Sequence, residues 1–314
     1  VDLIEREFAM SGSVLFVSVA GMLLVSVALG AESRAASDGR LAPGAKLEKI
    51  ASGCKFTEGP AWDGKGNLYF SDGPNNRIMV YREGGTAKVW KTDARSANGM
   101  LFDVQGRLIT CNSQSGAGGR TVTRYEKNGK VTVLADSYQG KKLNSPNDVV
   151  LRSDGTIYFT DPPFGLKGAF SSPLREMDYT GVFRIGTDNV VTLVERYAGP
   201  NGIGLSPDGR TLYLSDRFAS RTDKGGWVAW SLDAAGYPVQ KRTFIDRATS
   251  PGGGDGLRVD SQGNVWASGP SGLNVFTPEG KRIGAIHADD VISNCEFGAD
   301  GYLYMTSNHR LIRV

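Results

Sequence analysis

Six short stretches of this chain open on an oxygen-bearing side chain. Glu58, Asn98, Asn147, Asn201 and Asp255 head five of them, and Ser293 or Asn294 heads the sixth. Two carboxylates and several amides, with no His or Cys among them, form an oxygen-only donor set. Such a set suits a hard divalent cation, with Ca²⁺ expected first and Zn²⁺, Mn²⁺ or Mg²⁺ as alternatives. Asn-Gly and Asp-Gly pairs also mark turns. Turn chemistry, however, gives no reason for Glu58 to occupy the same slot.

The slot belongs to a repeat. "EGPAWDGKGNLYFSD" from Glu58 is followed by "NGMLFDVQGRLITCN" from Asn98, "NDVVLRSDGTIYFTD" from Asn147 and "NGIGLSPDGRTLYLSD" from Asn201. "DGLRVDSQGNVWASG" from Asp255 and "SNCEFGADGYLYMTSN" from Ser293 complete the series. In the first five copies a glycine follows eight residues after the opening residue: Gly66, Gly106, Gly155, Gly209 and Gly263. The sixth register is ambiguous, because counting from Asn294 falls one residue short. Short strands recurring about every forty to fifty residues signal a β-propeller.

Each copy supplies two strands joined by a tight turn, and two more strands precede the next copy. The fold expected is all-β: six blades of four antiparallel strands. Blade one reads as Pro60–Asp63, Asn67–Ser71, Arg77–Arg82 and Ala87–Lys91. After Asn294 only three strands fit, so "KLEKIAS" (Lys46 to Ser52) is expected to complete the last blade, closing the ring and removing two exposed edges. In a propeller the first strand of each blade lines the central channel. The opening residues therefore converge at one mouth of that channel. Loops after the second strand crowd the same mouth: 113–120, 162–180 and 217–226. The longest of these, "PPFGLKGAFSSPLREMDYT", is a candidate lid.

Bulk properties bound the rest. The 314 residues carry a formal net charge of +3 with no charge run, which argues against a nucleic-acid partner. The apolar run Val14 to Leu29 ends in Ala28-Leu29-Gly30-Ala31, as a secretory signal peptide does, with cleavage after about Gly30. The run is short for a spanning helix, so no stable membrane insertion is expected after processing. Residues 1–30 are thus read as signal peptide and upstream residues, 31–44 as a linker, and 45–314 as one propeller domain, exported to the periplasm or secreted. Cys54, Cys111 and Cys295 lack CxxC spacing and are expected as buried free thiols. His287 and His309 head no repeat. "GAGG" (116–119) lacks the context of a phosphate loop.

Taken jointly, Glu58-Gly-Pro, "LNSPNDVV" with "TIYFTDPP", "GPNGIGLSPDGRTLYLSD" and "GGGDGLRVD" resemble the regucalcin/gluconolactonase family of six-bladed propeller hydrolases. The resemblance spans about residues 50 to 314. It implies one divalent cation on the channel axis, held by Glu58, Asn201 and Asp255. Asn147 would complete the shell or contact water and substrate. Asp255 would be the general base or orient the attacking water, and Asn98 would help bind substrate. Animal members place a sugar-contacting arginine two residues before the third-blade amide; here that position is Ser145. Lys141 and Lys142 are the nearby cations that could substitute.

Two functions of different class follow. The first is metal-dependent hydrolysis of a small-molecule lactone, such as gluconolactone, needing no Ser or Cys nucleophile. Other esters or phosphotriesters would suit the same site. The second is a non-catalytic binding module with a structural Ca²⁺, since a fold does not dictate a function. Two axial carboxylates beneath a loop favour the enzyme.

Overall fold

The computed structural model describes residues 41–114, 118–218, 226–245, 254–269 and 272–314. The apolar run 14–29 lies outside these residues. So do 31–40 of the linker and parts of the 113–120 and 217–226 loops.

Six four-stranded antiparallel sheets follow one another in chain order. Blade 1 comprises Thr57–Trp62, Asn67–Asp72, Arg77–Arg82 and Lys88–Thr92. Blade 2 comprises Ala97–Phe102, Leu108–Asn112, Thr121–Tyr125 and Val131–Ala135. Blade 3 comprises Val149–Leu151, Ile157–Asp161, Thr180–Ile185 and Val191–Tyr197. Blade 4 comprises Pro200–Leu205, Thr211–Asp216, Trp227–Leu232 and Pro238–Ile245. Blade 5 comprises Leu257–Val259, Val265–Gly269, Gly272–Phe276 and Arg282–Ile286. Blade 6 takes Asn294–Phe297, Leu303–Ser307 and Arg310–Arg313 from the C-terminal end. Its fourth strand is Glu48–Ala51, with Glu48 opposite Arg313 and Ala51 opposite Leu311.

The first strand of blade 1 begins at Thr57, earlier than the sequence suggested. The ladder is irregular between Glu58 and Ala61, and that irregularity carries the Glu58–Gly59 step into the strand. In blades 3 and 5 the opening residues Asn147 and Asp255 instead lie just ahead of their strands.

Among the described residues there is no single central core. Six apolar clusters fill the spaces between neighbouring blades. Ala61, Ile78, Met100 and Leu108 join blades 1 and 2, for example, and Tyr213, Trp227, Leu257 and Phe276 join blades 4 and 5. The ring is thus held at its six radial interfaces, and the axis is left to polar groups. The repeated glycines Gly66, Gly106, Gly155, Gly209, Gly263 and Gly301 all sit in inner hairpins at φ between +65° and +95°, where other residues are strained. Gly301 lies eight residues after Ser293, so the sixth copy starts at Ser293.

In blades 1, 3 and 4 a second feature of the repeat ties down the segment that enters the inner strand. Asp72, Asp161 and Asp216 close the second strands of blades 1, 3 and 4. Each carboxylate reaches back to backbone N–H groups of the segment entering its own first strand. Asp72 accepts from Lys55 (2.9 Å), Asp161 from Asn144 and Ser145 (both 2.7 Å), and Asp216 from Gly199 (2.7 Å). The three cysteines are buried and free.

Candidate active site

A ring of backbone hydrogen bonds sets the site. The Gly99 N–H donates to the Asn147 carbonyl at 2.7 Å, Gly202 to Asp255 at 3.1 Å and Gly256 to Ser293 at 2.7 Å. Hydroxyls of the second strands support the same carbonyls: Ser71 on Asn98, Thr160 on Asn201 and Ser215 on Asp255. The glycine after each opening residue therefore serves contact between blades rather than a turn. A Cβ on Gly59 would stand 1.9 Å from the Asn98 carbonyl oxygen, and one on Gly202 would stand 2.2 Å from that of Asp255.

Two copies break this rule. Where the others have glycine, blade 3 has Asp148 and blade 6 has Asn294. Their side chains fill space beside the glycines of the preceding blade. A Cβ on Gly99 would meet Asp148 Oδ1, and one on Gly256 would meet the Asn294 amide. Both residues are buried, and the Asn294 amide donates to Glu58 Oε2 at 3.0 Å and to Asp148 Oδ2 at 3.4 Å. Asn294 thus joins two carboxylates that would otherwise repel.

The structure brings Glu58, Asp255 and Asn201 together with Asp148. The Asn201 side chain hydrogen-bonds Asp255, and the charges of Asp255 and Asp148 both act on Glu58. Burial, then the Asp255 and Asp148 charges, pushes the Glu58 carboxyl well above its ordinary range, against the Gly59 N–H and the Asn294 amide. Asp255 is pushed up to about 6: burial raises it, Arg217 and Asn201 lower it, and Asp148 raises it again. Burial also raises Asp148, opposed by Arg258. The Arg217 guanidinium stands 3.3 Å from Asp255 Oδ2. Asn98 and Asn147 join the ring through their carbonyls and are half-buried. Lys141 and Lys142 stand exposed in a small ribbon with Ser137–Tyr138. His309 faces Asp290 at 3.8 Å.

Beneath the acids lies Arg258. Its guanidinium donates to the carbonyls of Pro60 (3.4 Å), Met100 (3.3 Å) and Leu257 (3.0 Å) and to Glu296 at 3.2 Å, and it stands 3.9 Å from Asp148. One side chain so ties five blades together and places positive charge under the carboxylates. Beyond it, a cavity of about 320 Å³ lined by Leu101, Leu151, Ile203 and Val259 opens at the other end of the channel. Sequence reasoning passed over Asp148, Arg258 and Glu296. The signal was present: Arg258 and Glu296 occupy the fourth position of copies five and six, where other copies hold Ala61, Leu101, Val150 and Gly204.

Among the described residues no group of three His, Cys, Asp or Glu side chains is arranged to hold a metal ion by itself. A cation here would need amide oxygens as well as carboxylates.

The model of the SMP-30/Gluconolactonase/LRE-like region matches residues 56–309, which is the whole ring apart from its closing strand and last residues. The chain belongs to the SMP-30/gluconolactonase family. Within it, a gluconolactonase of Zymomonas mobilis is 34% identical over 294 residues, covering 85% of this chain and 80% of that protein. A solved gluconolactonase of Xanthomonas campestris, 31% identical, superposes with a TM-score of 0.75 over 85% of this chain and 88% of its own. The calcium-binding regucalcin of Agrobacterium tumefaciens, 18% identical with a TM-score of 0.68 over 84% of this chain and 91% of its own, shares the fold.

Proposed function

We propose that this member of the family is a metal-dependent lactonase that opens a lactone such as gluconolactone to its hydroxy acid. The observation that carries this reading is the axial cluster itself. Glu58 and Asp148 are buried and Asp255 is partly buried; Asp148 has Arg258 at 3.9 Å and Asp255 has Arg217 at 3.3 Å, whereas Glu58 is met by neutral donors, the Asn294 amide and the Gly59 N–H. Unpaired buried charge is costly, so such a pocket calls for a cation or for protons. Gluconolactonase relatives sharing about a third of the sequence point to the same ester chemistry.

Glu58, Asn201 and Asp255 would hold a divalent cation, with Asn147 completing the shell, and this hard oxygen set favours Ca²⁺. When bound, the ion supplies a Lewis acid that polarises the ester carbonyl. The chain's own residues do the rest. Asp255, with its carboxyl near 6, is mostly ionised at neutral pH and takes a proton from water as the oxygen attacks the ester carbon. It then returns that proton to the ring oxygen as the C–O bond breaks. The Asn201 amide keeps Asp255 oriented, and Asn294 fixes Glu58.

The test is acid release from δ-gluconolactone by the wild-type chain, with EDTA, with Ca²⁺, Zn²⁺, Mn²⁺ or Mg²⁺ restored, and with Asp255→Ala alongside. Loss in EDTA, rescue by one ion and an inactive but folded variant are expected. A chain that binds cation, melts higher with it and hydrolyses no lactone or other ester would instead be a binding module.

A further inference from the structure

Three aromatic rings stand where the loops after the second strands of blades 3 and 4 meet. Phe164 lies 5.7 Å from Phe218 and 6.2 Å from Phe170, and Phe170 lies 5.6 Å from Phe218. The cluster is tied to the site on both sides. Gly165, next to Phe164, donates its N–H to Ser145 Oγ at 2.9 Å, and Ser145 lies two residues before Asn147. Phe218 follows Arg217, which pairs with Asp255. The Phe218 ring packs so closely on Gly199, two residues before Asn201, that a Cβ there would come within 2.5 Å of it.

These rings are not closed off as a core would be. Phe170 is 41% exposed and Phe218 is 51% exposed. Large apolar groups left open beside a polar site mark a binding surface. Their mutual geometry says what kind. Phe170 and Phe218 meet at 89°, so they form a corner rather than a flat platform. A platform suits the face of a ring, whereas a corner encloses a narrow apolar group on two sides. Nearby, Ser145 Oγ accepts the Gly165 N–H, and the Arg175 guanidinium donates to the Phe170 carbonyl at 2.9 Å while its carbon stands 5.8 Å from the centre of the Phe170 ring.

We propose that Phe170 and Phe218, backed by Phe164, form a specificity corner that receives an alkyl substituent carried on the lactone ring. The corner favours alkyl-substituted lactones over unsubstituted ones. This rests on the lactonase reading above and adds to it the substrate class. Burying a few methylenes against phenyl rings lowers KM roughly tenfold, which is about 1.4 kcal/mol.

The test compares δ-decalactone, which carries a pentyl chain, with δ-valerolactone, which carries none, and with δ-gluconolactone. Wild type, Phe218→Ala, Phe170→Ala and Phe170→Leu are each assayed after their melting temperatures establish that they fold. Wild type is expected to show a KM for the alkyl lactone roughly tenfold below that for δ-valerolactone. Either alanine variant should shrink that ratio to about threefold or less, and Phe170→Leu should keep most of it. A ratio that is the same in all four proteins, with lactones still hydrolysed, overturns the corner and leaves the lactonase intact. Hydrolysis of no lactone by wild type overturns the lactonase reading, and the corner falls with it.

Discussion

Two sets of buried acids in this ring differ in what surrounds them. Asp72, Asp161 and Asp216 sit at the ends of second strands and are met by backbone N–H groups from the segments they clamp. Glu58, Asp148 and Asp255 sit on the axis, where the Asp148 charge raises both Glu58 and Asp255 and where the donors present do not offset burial. Asp72 shows the contrast well. Burial raises its carboxyl, but the Asn75 amide, the Lys55 N–H and the Arg77 guanidinium outweigh that and hold it below the ordinary range. Donors and a counter-charge thus outweigh burial at Asp72, whereas burial and like charge prevail at Glu58 and Asp255.

The largest expected effects test that division directly. Asp255→Asn should lower kcat/KM for a lactone by roughly a thousandfold, because the proton acceptor is gone. Its melting temperature without cation should hold or rise, since one of three repelling charges is removed. The rise in melting temperature on adding cation should disappear. Asp72→Ala should do the reverse. It leaves the Lys55 and Phe56 N–H groups and the Arg77 guanidinium without their partner, at a cost of about 3 kcal/mol in urea unfolding. The kcat of the folded protein should stay as it was. An Asp255→Asn variant that unfolds, or an Asp72→Ala variant that is folded but inactive, would erase the distinction.

The ring was legible because its period is written in residues with one conformational use. Glycine at positive φ in each inner hairpin fixes the repeat, and the opening residue is then found by counting back. Counting back gives six opening residues, among them Glu58, Asn201 and Asp255, which the structure brings together. The clamps stood in plain view as the final aspartate of "YFSD", "YFTD" and "YLSD". Their partners are backbone amides, however, and an amide leaves no signature in sequence. Asp148 and Arg258 were hidden for another reason. Each acts through residues on other blades, up to 198 positions away in the Arg258 to Pro60 bond, and the repeat itself does not encode such a contact.

Gly202 belongs to both sides of the comparison. Its N–H holds the Asp255 carbonyl, and a Cβ would stand 2.2 Å from that oxygen and 2.8 Å from Gly256 Cα. Both are backbone atoms, so Gly202→Ala must push two blades apart. It should cost about 2 kcal/mol in urea unfolding and lower kcat as well, since Asp255 moves with its carbonyl. Loss of stability with kcat intact would mean that Asp255 is positioned by its side-chain contacts alone.

The smallest effect sharpens the clamps against each other. Asp161 accepts three N–H donors, two from Asn144 and one from Ser145, yet burial pushes its carboxyl from 3.8 up to about 7. Asp72 has the Arg77 guanidinium at 2.8 Å, whereas Asp161 has only the more distant charge of Arg120. A native carboxyl that holds its proton longer than the unfolded one stabilises the fold most below about pH 4 and loses that contribution as pH rises through about 7. Asp72, whose carboxyl is depressed, contributes above the ordinary carboxyl range and loses its contribution as pH falls through its own lowered value. The melting-temperature difference between wild type and Asp161→Asn should therefore shrink from pH 4.5 to pH 8, while that for Asp72→Asn holds across this range and shrinks only as pH falls below about 4. If both differences hold from pH 4.5 to pH 8, Asp161 is an ionised clamp like Asp72, and filled lone pairs alone, without a counter-charge, suffice to keep a buried carboxylate charged.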